Sequence, residues 1–267
     1  MTISKLNLIY FSGTYTTKKV LQRMAKKQVA GTVKEYDITT LLPDRDIQFE
    51  EDELVIIGVP VYSGRIPAKA REGLLRFKGS QTPAIIVCTY GNRDYDDALL
   101  ELKDLSEENN FKVIAAGAFI SRHCIFPTVA TQRPDAEDME KVDKFVDQCF
   151  ALLAGIEKPD RLSSFTVKGN RPYKESPGNA IPLQTNESCT LCGSCIELCP
   201  MEAIDETDPK VTDYATCISC GRCIIVCPEG ARSFSGDYYK AMSEKFTVAF
   251  SARKEPETVL ASISATD

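Results

Sequence analysis

The chain has 267 residues, 43% of them hydrophobic and 26% charged, a balance that excludes a mostly disordered protein and leaves room for two domains. Its net charge of −6 argues against a nucleic-acid surface spread over the whole chain, so no nucleic-acid partner is expected. No apolar run approaches the ~20 residues of a spanning helix, so no membrane span is expected either.

The opening stretch, MTISKLNLIYF, reads as a first strand and not as a secretory leader. A cytoplasmic location is the matching expectation. LNLIYF (6–11) is that strand, and a helix is expected over 17–29. TVKEYDI (32–38) is a second, more exposed strand, and ELVIIGVP (53–60) a third, apolar throughout as a strand covered on both faces should be. A helix near 67–77 leads to PAIIVCTYG (83–91), and one over 95–109 leads to FKVIAAGAFI (111–120). The last helix is expected from RPDAED, with Pro134 in its first turn, to about Leu153. Strands and helices that alternate in this way predict an α/β fold, a doubly wound five-stranded parallel sheet over 1–153. Ligands of such sheets sit at the carboxyl ends of the strands where the strand order reverses, which directs attention to loops 12–17, 61–66 and 89–95.

Residues 154–182 are rich in Pro and Gly and read as a linker. Its cations (Lys158, Arg161, Lys168, Arg171, Lys174) suggest a strip laid against an acidic neighbour. Residues 236–267 read as a tail with a short helix near 237–246.

Between linker and tail lies an internal repeat. CTLCGSCIELCP (189–200) and CISCGRCIIVCP (217–228) agree at seven of twelve positions, and they hold eight of the chain's eleven cysteines. Each unit is C-x2-C-x2-C-x3-C-P. Three cysteines at i, i+3 and i+6 can grip three irons of one cubane, and the fourth of each run ligates the other cluster. The assignment is Cys189, Cys192, Cys195 and Cys227 for one [4Fe–4S] cluster. Cys199, Cys217, Cys220 and Cys223 hold the second. Zinc sites use separated pairs, and disulfides conflict with the missing leader. The module thus resembles the bacterial two-cluster ferredoxins, a small α+β domain here placed at 183–235. Residues 183–232 carry eight acids against three bases. Anionic clusters of this kind favour low potentials, and an acidic face suits a redox partner with a basic docking surface.

The three loops of the first domain resemble those of flavodoxins. Ser12, Thr14, Thr16 and Thr17 match the phosphate loop, with Tyr15 where that loop usually carries Gly. Pro60, Val61, Tyr62, Ser63 and Gly64 match one ring-contacting loop, and Thr89, Tyr90, Gly91, Asn92 and Tyr95 the other. The resemblance implies a flavodoxin-like fold and bound FMN, with Tyr62 and Tyr95 stacking on the ring and Gly91 and Asn92 making backbone contacts to its edge. Taken whole, the order resembles bacterial fusions of a flavodoxin-like domain with a two-cluster ferredoxin. It implies an electron-transfer protein that relays electrons between FMN and two [4Fe–4S] clusters to a redox protein. No catalytic residue stands out. A flavin-dependent reductase of a small substrate fed by the clusters is a second reading, and a non-redox interaction protein with structural clusters a third. His123, the only histidine, reads as a satisfied loop residue, and Cys88, Cys124 and Cys149 as packing cysteines.

Overall fold

The computed structural model describes residues 1–27, 32–176 and 180–264. Five parallel strands form: β1 (Lys5–Tyr10), β2 (Thr32–Asp37), β3 (Glu53–Pro60), β4 (Thr82–Tyr90) and β5 (Phe111–Ile120). Between and after them run helices α1 (Thr16–Ala25), α2 (Ala68–Leu74), α3 (Ala98–Glu108) and α4 (Ala136–Ala154). The carboxyl-terminal module contributes β6 (Leu183–Thr185), α5 (Ser194–Glu197), α6 (Arg222–Ile225) and β7 (Arg232–Phe234), followed by α7 (Asp237–Ala249) and β8 (Glu257–Leu260).

The sheet order is β8-β5-β4-β3-β1-β2, so the order reverses between β1 and β3. β1 pairs in parallel with both β2 and β3. Every residue of β4 is buried. Odd and even residues of the strands face opposite layers, and each layer has its own apolar core. One gathers Ile57, Val59, Ile86 and Leu102, the other Leu8, Leu21, Ile56 and Phe145. Among the described residues no helix is long and apolar enough to cross a membrane.

Two expectations need correction, and a third falls outside the described residues. Helix α4 starts at Ala136, not at Pro134: Asp135 is the cap, its side chain accepting from the Asp138 backbone while the Asp138 carboxylate accepts in return. The end expected for α1 near residue 29 lies outside the described residues, and the helix is seen to Ala25. The largest change concerns 236–267. This segment is no tail: β8 pairs antiparallel with β5 in the register Glu257↔Ala118 to Leu260↔Ala115, adding a sixth strand. The sheet therefore draws on both ends of the chain, and the module is spliced between them.

The linker also behaves otherwise than its charge suggested. Three of its five cations pair with the sheet domain, and among the described residues none pairs with the acidic module. Lys168 binds Asp94 at 2.9 Å, Lys174 binds Asp96 at 3.0 Å, and Arg171 binds Asp104. Phe165 and Val167 pack on the core beside them. The acids near the start of α3 and along it lie closer in space than the module does, and they take the pairs.

Candidate functional site

The two cysteine runs fold alike because glycine permits the same turn in each. Gly193 (φ 77°) and Gly221 (φ 75°) take the left-handed conformation before the one-turn helices α5 and α6, which carry Cys195 and Cys223. Cys189, Cys192, Cys195 and Cys227 line one small cavity, and Cys199, Cys217, Cys220 and Cys223 line another. The fourth cysteine of each run stands with the first three of the other. Backbone N–H groups donate to the sulfurs at equivalent places: Ala203 to Cys199 Sγ (3.4 Å) and Ala231 to Cys227 Sγ (3.2 Å). Ser219 and Arg222 donate to Cys217 and Cys220. Burial pushes the Cys223 thiol up to about 11 and Cys220 further still. Such thiols stay neutral until a metal centre takes the place of their protons. Thiols with N–H donors already aimed at them are the donor set that an iron–sulfur cluster uses.

The second quartet is the inner one. It faces the switch point of the sheet, where Gly13 permits the close approach. A Cβ at Gly13 would lie 2.7 Å from the Tyr62 hydroxyl and 3.2 Å from Cys220 Cβ. From the same turn Arg222 reaches across the junction. Its Nη1 donates to the carbonyl oxygens of Ser12 (3.1 Å) and Gly13 (3.3 Å), and its guanidinium carbon lies 4.2 Å from the Tyr15 ring centre. Tyr15 holds the left-handed conformation (φ 63°) that glycine supplies in the loops it resembles.

The three sequence-identified loops meet here, unequally. Ser12 lies buried beneath its loop, accepting from Lys18 N while its own N–H donates to Thr39. Thr17 is buried and shares a 2.8 Å hydrogen bond with Thr89. Thr14, Thr16, Thr17, Pro60, Val61, Tyr62, Thr89, Tyr90 and Gly91 line a common slot with residues 121–124. Ser63 (φ 53°) and Gly64 (φ 83°) form the tip of the Tyr62–Arg65 hairpin, beside that slot and not in it. Asn92 donates to the carbonyls of Phe250 and Ala252, both at 2.9 Å, and so holds the segment leading to β8. Tyr95 is 3% exposed and donates to Glu257 at 2.7 Å. The returning carboxyl-terminal segment thus holds the Asn92 side chain and buries the Tyr95 ring that was expected to stack on the flavin, while the backbone contacts expected of Gly91 and Asn92 do not involve that side chain.

The slot holds only about 40 Å³. His123 covers Gly91, where a Cβ would meet its ring at 2.6 Å. A phosphate group suits the slot's hydroxyls and the amino end of α1, but a flavin ring does not fit between the second and third loops. Room lies on the far side of Tyr62 and His123, in a cavity of about 920 Å³. It is bounded by Tyr62, Ile66 and Phe126 of the sheet domain, Cys217 and Ile218 of the module, and Phe246 of α7. The sequence reading missed Arg222, Ile125, Phe126 and the α7 aromatics, and it took His123 and Cys124 for loop and packing residues. One signal was available: within the repeat, Arg222 stands where the first unit has Ser194.

His123 proves a packed junction residue. Its Nδ1 accepts from Ile125 N and Phe126 N, and its ring lies 5.0 Å from Phe126 and 5.7 Å from Phe246. Burial, with Arg93 as a second cause, lowers it from 6.5 to about 4. The folded state therefore binds fewer protons than the unfolded one between those values. Stability is full above about pH 7 and falls as pH drops through the window, by about 3 kcal/mol in total. Amide-exchange protection of 121–126 should follow that slope in the wild type and stay flat in His123→Asn. An equal slope in both would remove His123 as the cause.

Comparison with known proteins completes the description. Residues 188–232 match the family profile described as "4Fe-4S dicluster domain". Flavodoxin 1 from Bacillus cereus has a similar fold at 16% identity and TM-score 0.43, over 55% of this chain and 98% of that one. The flavodoxin of Streptococcus pneumoniae TIGR4 is similar at 15% identity and TM-score 0.39, over 55% and 99%. Rubredoxin oxygen:oxidoreductase from Desulfovibrio gigas is similar at 13% identity and TM-score 0.42, over 58% and 37%. No curated protein matches the chain. The strand order carries the fold assignment without those likenesses. The chain joins a flavodoxin-like domain to a 4Fe–4S dicluster module, a pairing that supports an electron-transfer role.

Proposed function

We propose that the chain relays electrons between FMN in the flavodoxin-like domain and two low-potential [4Fe–4S] clusters at 183–235, exchanging them with a redox protein. The carrying observation is the seating of Cys220 of the inner quartet against Gly13 of the first loop. Cys189, Cys192, Cys195 and Cys227 hold the outer cluster. Cys199, Cys217, Cys220 and Cys223 hold the inner one. Thr14 and Thr16, with the amino end of α1, hold the FMN phosphate, and the large cavity beyond Tyr62 has the room for its ring. Bound there, the flavin supplies exchange of one or two electrons, where each cluster exchanges one. Ile218 and Ser219 wall that cavity beside the inner quartet and keep water from the space between. The outer quartet opens to solvent at Cys192, with Glu229 on the rim of its cavity and further exposed carboxylates in the module at Glu187 and Glu197, and a partner with a basic face docks there. Oxygen-sensitive clusters and free Cys88, Cys124 and Cys149 suit a reducing compartment such as the cytoplasm.

Protein purified without oxygen should hold about eight irons and eight sulfides. Cys192→Ser should damage one cluster and Cys220→Ser the other. Thr14→Ala with Thr16→Ala should weaken FMN binding on the order of tenfold, by removing phosphate hydroxyls. Stoichiometric zinc without sulfide would end the cluster assignment; FMN that fails to raise thermal stability at saturation would end the flavin assignment. The volume of the cavity favours, as a second reading, reduction of a small substrate in the same place.

A further inference from the structure

A second groove at the domain junction, of about 640 Å³, has no part in the relay. It shares Thr14, Thr16 and Arg122 with the phosphate slot and continues past Lys18 and Lys19 of α1 to Ile224 and Ile225 of α6. Its charge runs against that of the chain. Acids outnumber bases by 38 to 32 overall, yet no carboxylate is among the described residues that line the groove. Three of its cations have no ion pair among the described residues. Arg122 is exposed and donates to the Pro127 carbonyl at 3.3 Å. The Lys18 ammonium lies 5.6 Å from the centre of the Tyr10 ring, and Lys19 is exposed beside it. The neighbouring cations that do find carboxylates, Arg23 and Lys27, stand further along the chain. A fourth lining cation, Arg133, is cancelled by Asp138. Like charges gathered without a counter-ion repel one another, and a cleft lined by one sign concentrates the opposite charge.

We propose that this groove binds a nucleoside phosphate, its phosphates on Lys18, Lys19 and Arg122 and its base against the opposite wall. That wall is apolar and aromatic, formed by Ile224, Ile225, Phe234 and Tyr239, with Ile225 49% exposed. The volume lies within the ~300–1,000 Å³ of small-molecule sites, which combine apolar walls with a few convergent polar groups. An inorganic anion would leave the apolar wall wet, and an apolar ligand would leave the cations uncompensated. The flavin reading uses Thr14, Thr16 and the room beyond Tyr62, so Lys18, Lys19 and Ile225 have no role in it, and the proposal stands apart from it. Both domains supply the walls. Gly221 belongs to the groove and to the cavity of the inner quartet, and a Cβ there would lie 3.3 Å from the Cys124 carbonyl oxygen. A bound nucleotide therefore bridges the sheet domain and the module.

The test is isothermal titration calorimetry on the full chain with its clusters loaded, with and without saturating FMN. The probes are ADP, UDP and inorganic pyrophosphate. At least one nucleotide should bind once per chain with Kd below about 1 mM, and pyrophosphate roughly tenfold more weakly for want of a base. Lys18→Gln and Arg122→Gln should each weaken the nucleotide about tenfold. Ile225→Asn should weaken the nucleotide and leave pyrophosphate unchanged. Bound nucleotide should slow amide exchange at 221–225 and leave 189–193 as they were. Wild-type iron and sulfide content shows that each variant is folded. No binding of either nucleotide at millimolar concentration would overturn the proposal, as would lysine and arginine variants that bind like the wild type. Pyrophosphate binding as tightly as the nucleotide would reduce the groove to an anion patch and overturn it too. Nucleotide binding that saturating FMN abolishes would place the ligand in the flavin slot, with the same consequence.

Discussion

Removing the clusters should unfold residues 183–235 and leave the sheet folded. The module has very little else to hold it. Its buried apolar cluster consists of Cys195, Ile204 and Cys223, two of which are ligands in the assignment above. Its strands are three residues long and its helices α5 and α6 four, far below the length at which an isolated helix is stable. A unit of about 50 residues is marginal even with a full core. When the binding site does not exist in the unfolded chain, the free energy of metal binding is folding free energy. The expected result of chelation under oxidising conditions is fast tryptic cleavage at Lys210 and Arg222, on the order of a hundredfold faster than in the loaded protein. Peptides from β3 and β4 should keep their amide-exchange protection throughout. A cluster-free module that resists trypsin as well as the loaded one would show that side-chain packing alone suffices.

Truncation after Ala249 should destabilise the sheet domain by about 4 kcal/mol, or roughly 10 °C in Tm for a domain of this size. The deletion strips β8 from the edge of β5, where residues 257–260 pair with 115–118. It also leaves buried polar groups without partners. Asn92, 3% exposed, loses the carbonyls of Phe250 and Ala252, and buried Tyr95 loses Glu257. Each orphaned group costs about 1–3 kcal/mol. Arg253, which pairs with Asp135 at 2.7 Å at the start of α4, adds little, because both side chains are about one-third exposed. Asn92→Gly isolates part of the effect: glycine keeps the positive φ of 60° and removes the donors. It should cost about 1–2 kcal/mol. A truncated protein with wild-type Tm would mean that β8 is an ornament on an edge already closed.

The parallel sheet and the cysteine repeat were legible in the sequence because both are written in local periodicity. A strand covered on both faces must be apolar throughout, as β3 and β4 are. A cubane grips cysteines at fixed short spacings, so the ligand pattern lies within two twelve-residue stretches. The strand β8 was not legible in the same way. Four residues, ETVL, carry no period long enough to stand out, and they become a strand only because β5 leaves an unpaired edge beside them. The pairing of Lys168, Arg171 and Lys174 was decided by which carboxylates the fold brought near, a matter of distance and not of composition. The fate of the third loop followed from both. Asn92 and Tyr95 have the residue types of a ligand-binding loop, but the same hydrogen-bonding groups serve equally to hold a returning chain, and the chain arrived from more than 150 positions away. The sequence determined what each segment could bind. The tertiary structure decided which of the possible partners reached it, because hydrogen bonds and ion pairs act over a few ångströms and sequence separation sets no such distance.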